Sequence, residues 1–192
     1  MTKKILILDC GCQNFNRGGS LNHHFSDVMN LELTAMGHEV KVTRVGEEWD
    51  VAEEAEKMQW ADAVIVQTPG WWMTTPWQFV RYMDLVWVQK GVCGNDGRSH
   101  DEPKKNYGRG GILTNKHYMI SSTWNAPKEA FTEPDQFFEG KGADGVFFPL
   151  HKAFQFLGLK PLPSFMANDV VKNPTIESDI ERLKAHLKVL FG

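Results

Sequence analysis

Three short stretches hold the residue types that bind or react. Asn16, Arg17, Gly18, Gly19 and Ser20 stand together just before an amphipathic segment. Glycine lets backbone N–H groups come close to an anion, and a helix starting at Ser20 adds the positive end of its dipole. The Arg17 guanidinium and the Ser20 hydroxyl are further donors. The same residues serve equally well as a strand-to-helix turn with Ser20 as the N-cap. Neither a Walker motif nor a G-x-G-x-x-G pattern accompanies them.

Gly70, Trp71, Trp72 and Met73 form the second stretch, and Trp77 completes three tryptophans in one short window. A flat heteroaromatic ring such as an isoalloxazine needs apolar walls and nearby backbone N–H groups, which indoles and a glycine supply. Packing in a core or a dimer interface is the competing role for either indole. The third stretch is Thr123, Trp124, Asn125 and Ala126, ahead of Pro127. An amide side chain both donates and accepts, so Asn125 suits an imide-like edge, or simply a turn. Tyr107, among Gly108, Gly110 and Gly111, could cover a ring, donate to a quinone oxygen or pack a lid.

Other reactive side chains form no pattern. Cys10, Cys12 and Cys93 are an odd set; Cys10 closes an apolar run and reads as structural. His23 and His24 are adjacent and lack the i, i+4 spacing of a helical metal pair. His151 stands near a helix start and reads as solvated or capping. No metal ligand set is assigned.

Elements must carry these loops. Residues 4–10, 38–45, 61–67, 117–124 and 162–169 read as strands, the first and third as continuous buried runs. Helices are expected from Ser20 to about Gly37, over 50–59, and after a Thr75–Pro76 cap with Phe79, Val80, Met83 and Trp87 inward. A C-terminal helix is expected from a Ser178–Glu181 capping box, with Ile180, Leu183, Leu187 and Leu190 as its stripe. Alternating strands and helices predict an α/β fold: a flavodoxin-like, doubly wound, five-stranded parallel sheet of order 2-1-3-4-5 with helices on both faces. That order puts the ends of strands 1, 3 and 4 side by side, so one ligand could touch all three loops. Residues 1–192 read as a single domain with a long active-site excursion at about 89–116.

Composition excludes several classes. Apolar residues at 42% and charged residues at 23% fit a globular chain, not a fibrous or disordered one. A net charge of -3 supplies no basic surface for nucleic acid. No apolar run approaches a membrane span or a signal h-region, and the cysteines form no framework. A cytoplasmic location is expected.

Motifs along nearly the whole chain resemble the MdaB (modulator of drug activity B) family: GGSLN at 18–22, WADAVIVQTPGWWM at 60–73, TPWQFVRYMD at 75–84, KKNYGRGG at 104–111, TWNAPKEAFTEPDQFF at 123–138, DGVFFPLHKAFQFLG at 144–158 and PLPSFMAND at 161–169. The chain departs from the family pattern after the first strand, where CGCQNFNR replaces a His-Ser-Asn lead into the glycine. The resemblance implies two-electron reduction of quinones by NADPH or NADH, with FAD as cofactor, in a homodimer. It implies that Arg17, Gly18, Gly19, Ser20, Leu21 and Asn22 hold the FAD diphosphate. Gly70, Trp71, Trp72 and Met73 would line the flavin, with Thr123, Trp124, Asn125 and Ala126 opposite its pyrimidine side. Tyr107 would contact the cofactor, and Tyr107 and Asn125 would support quinone reduction by hydrogen bonding. The alternative expectation is a non-enzymatic FMN electron carrier with a protein redox partner; a regulatory domain without flavin is a third.

Overall fold

The computed structural model describes residues 1–13 and 18–192. Six strands, β1 (Lys4–Asp9), β2 (Glu39–Arg44), β3 (Ala63–Pro69), β4 (His117–Thr123), β5 (Lys160–Pro161) and β6 (Phe165–Ala167), form one parallel sheet. Their order is β2-β1-β3-β4-β5, with β6 also paired to β4. The fifth position, expected as one strand over 162–169, is thus two short segments. Pro161 and Pro163 explain the break, because a proline has no N–H to give to a ladder.

Helices cover both faces. On one side α1 (Ser20–Ala35) and α7 (Ile176–Phe191) pack on Ile5, Ile7, Ile65 and Met119. Phe25, Met29 and Leu33 of α1 and Leu183, Leu187 and Phe191 of α7 recur every four residues and lie in that core. On the other side are α2 (Val51–Trp60), α3 (Trp77–Tyr82) with a π-turn segment over Met83–Trp87, then α4 (Glu129–Thr132), α5 (Gly142–Val146) and α6 (Phe148–Leu157). Leu6, Leu8, Val64, Val66 and Ile120 meet Met58, Phe79, Val86 and Phe154 there. Alternate residues of β1 and β3 enter opposite cores, so residues 5–8 and 63–66 are continuous apolar runs.

Two expected helix starts shift. Thr75 does not cap α3; Pro76 occupies the N-cap, no side chain bonds there, and Val80 is exposed rather than inward. The last helix begins at Ile176 with Thr175 as N-cap, so Ser178 lies within its first turn and no capping box forms at Ser178–Glu181. His151 is also displaced from its expected role. It is buried inside α6, with Nδ1 2.8 Å from the Tyr118 hydroxyl. Among the described residues no helix is long and apolar enough to cross a membrane.

Candidate active site

The strands deliver their polar residues at one end. Asp9, Gln67, Ser121 and Thr123 follow apolar runs and are all buried at the C-terminal ends of β1, β3 and β4. A buried amide or hydroxyl must find partners, and these find one another. Gln67 Nε2 donates to Asn22 Oδ1 at 2.8 Å, and Ser121 Oγ donates to Gln67 Oε1 at 2.6 Å. Thr123 Oγ1 donates to the same Asn22 oxygen at 3.2 Å. The network ties the first turn of α1 to the ends of β3 and β4. Gly70 N–H donates to the Thr123 carbonyl at 2.8 Å, which brings the second loop into the cluster. The three stretches singled out in the sequence therefore meet at the topological switch point of the sheet.

The first loop is built for backbone approach. Gly19 crosses Gly11 so closely that a Cβ on Gly19 would lie 2.2 Å from the Gly11 carbonyl carbon. Among the described residues nothing lies within 4 Å of a Cβ built on Gly18. Gly19 is the N-cap of α1, no side chain among the described residues bonds the helix start, and no acidic residue stands in its first turn. Ser20 is the first helical residue and not the cap. Its exposed hydroxyl and the first-turn N–H groups remain available to a ligand. Leu21 is half-buried, and Asn22 turns into the network just described. Arg17 lies outside the described residues.

The second loop carries strain. Trp71 and Thr74 exchange both backbone hydrogen bonds, at 2.9 and 3.0 Å, which leaves Trp72 and Met73 as a two-residue turn. Their φ values are 49° and 62°, a left-handed conformation usually left to Asn-Gly. For a side chain with a Cβ this costs roughly 1–2 kcal/mol per residue. The turn holds Trp72 84% exposed, and Met73 lines a shallow cleft together with Phe137 and Phe138. Such strain is characteristic of functional sites.

The third loop divides its roles. Trp124 is buried between Phe131, Phe138 and Phe147, and its Nε1 donates to Ser122 Oγ at 3.1 Å. A Cβ on Gly70 would fall 2.3 Å from that indole, so Gly70 is the residue that lets the second loop pass over it. Trp124 therefore acts from beneath the loops. Asn125 is exposed beside it, and the Ala126 carbonyl accepts from Asp169 N–H at 2.9 Å.

Tyr107 lies elsewhere. Its ring packs on Phe156, near the C-terminus of α6, where the Leu157 carbonyl takes the Leu113 N–H. That is the end of the sheet where β4 begins. Asn125 follows the other end of β4, about 20 Å away along the strand. Within one chain Tyr107 and Asn125 are not brought together. Tyr107 instead lines a separate cavity of about 890 Å³ with Trp87, Cys93, Arg109, Lys152 and Phe156.

The thiols are chemically quiet. Burial, then the charge of Asp9, pushes the Cys12 thiol up to about 12. Burial raises the Cys10 thiol well above its usual value, helped by Cys12 and Asp9.

Gln67, Ser121 and the Asp9–His23 contact, Nδ1 to Oδ2 at 2.6 Å, were not among the residues singled out in the sequence. The available signal was a polar residue closing each central apolar strand, where an α/β sheet presents its ligand.

Comparison with known proteins agrees with the fold. A family described by its flavodoxin-like fold matches residues 3–190. The chain is 45% identical over 190 residues to the NADPH:quinone oxidoreductase MdaB of Haemophilus influenzae, covering 98% of this chain and 99% of that protein. It is 47% identical over 192 residues to an uncharacterised protein of Schizosaccharomyces pombe, covering 98% and 97%. Among solved structures, an NAD(P)H:quinone oxidoreductase from Methanothermobacter marburgensis superposes with a TM-score of 0.70 at 16% identity, covering 99% and 100%. An FMN-dependent NADH-azoreductase from Bacillus anthracis, in complex with FMN, gives 0.64 at 13% identity, covering 98% and 100%. At those identities the structures share the fold.

Proposed function

We infer the activity from one premise: this chain belongs to the MdaB family of flavodoxin-fold quinone oxidoreductases. It is an NAD(P)H:quinone oxidoreductase, and we assign it FAD as cofactor and a ping-pong course. The observation that carries the assignment is the Asn22–Gln67–Ser121 network with Thr123, which joins an open anion turn to two ring-lining loops.

The residues present fit a flavin nucleotide. The glycine turn and the uncapped first turn of α1 suit a diphosphate, with Gly18, Gly19, Ser20, Leu21 and Asn22 around it and Arg17 proposed as a further donor. Gly70, Trp71, Trp72 and Met73 would line the ring, with Thr123, Asn125 and Ala126 at its polar edge and Trp124 as their support. When bound, the flavin supplies hydride transfer through N5, from NAD(P)H and then to the quinone. The protein's part is to hold the ring against the strained Trp72–Met73 turn, offer the Asn125 amide to an oxygen and keep the thiols out of the reaction.

Tyr107 retains its proposed role only in a dimer. An exposed apolar stripe, Trp77, Val80, Leu85 and Val88, runs along α3 and the π-turn segment, with Phe148 on α6. A second copy covering that face could present its own Tyr107 to this chain's Asn125. A non-enzymatic electron carrier is set aside by end-to-end similarity to an oxidoreductase. The three free cysteines accord with our proposal of a reducing, cytoplasmic setting.

Initial-rate kinetics test the course of the reaction. Varying NADPH at several quinone concentrations should give parallel double-reciprocal lines, since one flavin face serves both substrates in turn. Intersecting lines would show a ternary complex and two separate sites.

A further inference from the structure

A carboxylate under an anion-binding turn is electrostatically out of place. Asp9 is fully buried at the end of β1, directly beneath the crossing of Gly11 and Gly19. Its Oδ1 accepts the Gly11 N–H at 2.8 Å, and so takes up one donor of the turn. Left unpaired, its charge would oppose any phosphate at the start of α1.

The partner that answers it is His23. His23 stands in the first turn of α1, with its own N–H bonded to the Gly19 carbonyl at 3.0 Å. Its Nδ1 is 2.6 Å from Asp9 Oδ2, and its side chain is 29% exposed. A Cβ built on Gly11 would lie 2.9 Å from His23 Cε1, so the imidazole lies against the turn itself. No partner for His23 Nε2 occurs among the described residues. Other charges nearby are weaker claimants. Arg44 Nε lies 3.8 Å from Asp9 Oδ2, but Arg44 also reaches Asp27 at 3.9 Å and Glu47 at 3.4 Å, and it is 41% exposed. The Cys12 thiol beside Asp9 carries no charge until about pH 12.

We propose that Asp9 and His23 form a hydrogen-bonded couple under the glycine turn, in which the His23 ring, held on Asp9 Oδ2, screens the Asp9 carboxylate from a phosphate bound at the start of α1. Asp9 orients the ring and the turn; His23 makes the turn receptive to anions. Both are positioning residues. The inference rests on the flavin reading above and names the device that reading requires at its phosphate end.

The experiment titrates apoprotein with FAD and with riboflavin, which has the same ring and no phosphate, and follows quenching of flavin fluorescence. His23→Gln should weaken FAD at least tenfold and leave riboflavin unchanged. The double variant Asp9→Asn/His23→Gln should return FAD affinity to within about threefold of wild type. Thermal melting of each variant confirms that it is folded. Equal losses for FAD and riboflavin would mean the pair is merely structural and would overturn the proposal. So would unchanged FAD binding in His23→Gln, or no recovery in the double variant. A wild-type protein that binds neither FAD nor FMN would overturn the flavin reading and this one together. Wild-type FAD binding with an indifferent His23→Gln would overturn this one alone.

Discussion

Helices α1 and α2 both start just after a strand of the same sheet, yet their first turns are opposites. Asp50 caps α2, accepting from Ala52 N–H at 2.8 Å and Glu53 N–H at 3.0 Å, and Glu53 and Glu54 follow in its first turn. Glu54 is buried and accepts from Thr43 Oγ1 and, at 3.0 Å, from the Tyr82 hydroxyl; burial, then the Glu54 charge and this contact, raise the Tyr82 pKa far above its usual value. That helix start is satisfied from within and serves stability. The start of α1 has a glycine cap, no side-chain bond and no acid in its first turn. Among the described residues no side chain takes up its donors. The same backbone feature is therefore structure in one place and, in our proposal, a binding site in the other, and the difference lies in which side chains are withheld.

Changes at α1 should have the largest effects. Gly19→Ala places a Cβ 2.2 Å from the Gly11 carbonyl carbon, a backbone atom that cannot step aside. Flavin content of the purified protein should fall at least a hundredfold, and normal content would break the comparison. Ser20→Asp gives α1 the acidic first turn of α2. FAD affinity should drop between about tenfold and a hundredfold while the melting temperature holds or rises, because an acid there stabilises a helix by roughly 0.3–1 kcal/mol. A matched loss of stability would mean Ser20 was structural.

At α2 the expectation reverses. Asp50→Ala should cost about 1 kcal/mol of unfolding free energy, the usual worth of a cap, with FAD affinity unchanged. Denaturant unfolding and flavin titration on one preparation decide it. A fall in FAD affinity would show that the two starts are not independent.

The smallest effect is expected from the cysteines. Cys12 lies between the two loops, its Sγ 3.1 Å from where a Gly46 Cβ would stand. The variant Cys10→Ala/Cys12→Ser/Cys93→Ser should keep quinone turnover per bound flavin within about tenfold, roughly 1.4 kcal/mol in barrier. The raised Cys12 pKa has a sign for stability as well. The native state keeps its proton where the unfolded thiol, at 9.0, has lost it, so the thiol's contribution is complete below pH 9 and declines as pH climbs toward 12. Wild type should lose more stability than Cys12→Ser across that window. Alkaline melting curves that run parallel would contradict this.

Much of the scaffold was legible because its signals are local. Continuous apolar runs mark β1 and β3, and Leu21, Phe25, Val28, Met29 and Met36 near helical spacing mark α1. The fifth strand position was less so, since prolines divide it without removing its apolar character. The three loops could be picked out by glycine and tryptophan, but their side-chain directions could not. Trp124 turned inward because three phenylalanines distant in sequence surround it. Tyr107 was placed beside the loops by its neighbours' composition, whereas a long excursion is positioned by the distant element it packs on, here α6. Gln67 and Ser121 carried only the mark of a polar residue closing an apolar run, because they satisfy each other across strands.

The central claim is that the loops joined through Asn22, Gln67 and Thr123 hold a flavin that passes electrons from NAD(P)H to a quinone. The most direct measurement is the anaerobic absorbance of purified protein reconstituted with FAD. One flavin per chain should bind, one equivalent of NADPH should bleach its band, and one equivalent of quinone should restore it with no other protein present. A protein that stays colourless, or whose band NADPH bleaches but only a protein partner restores, would contradict the account.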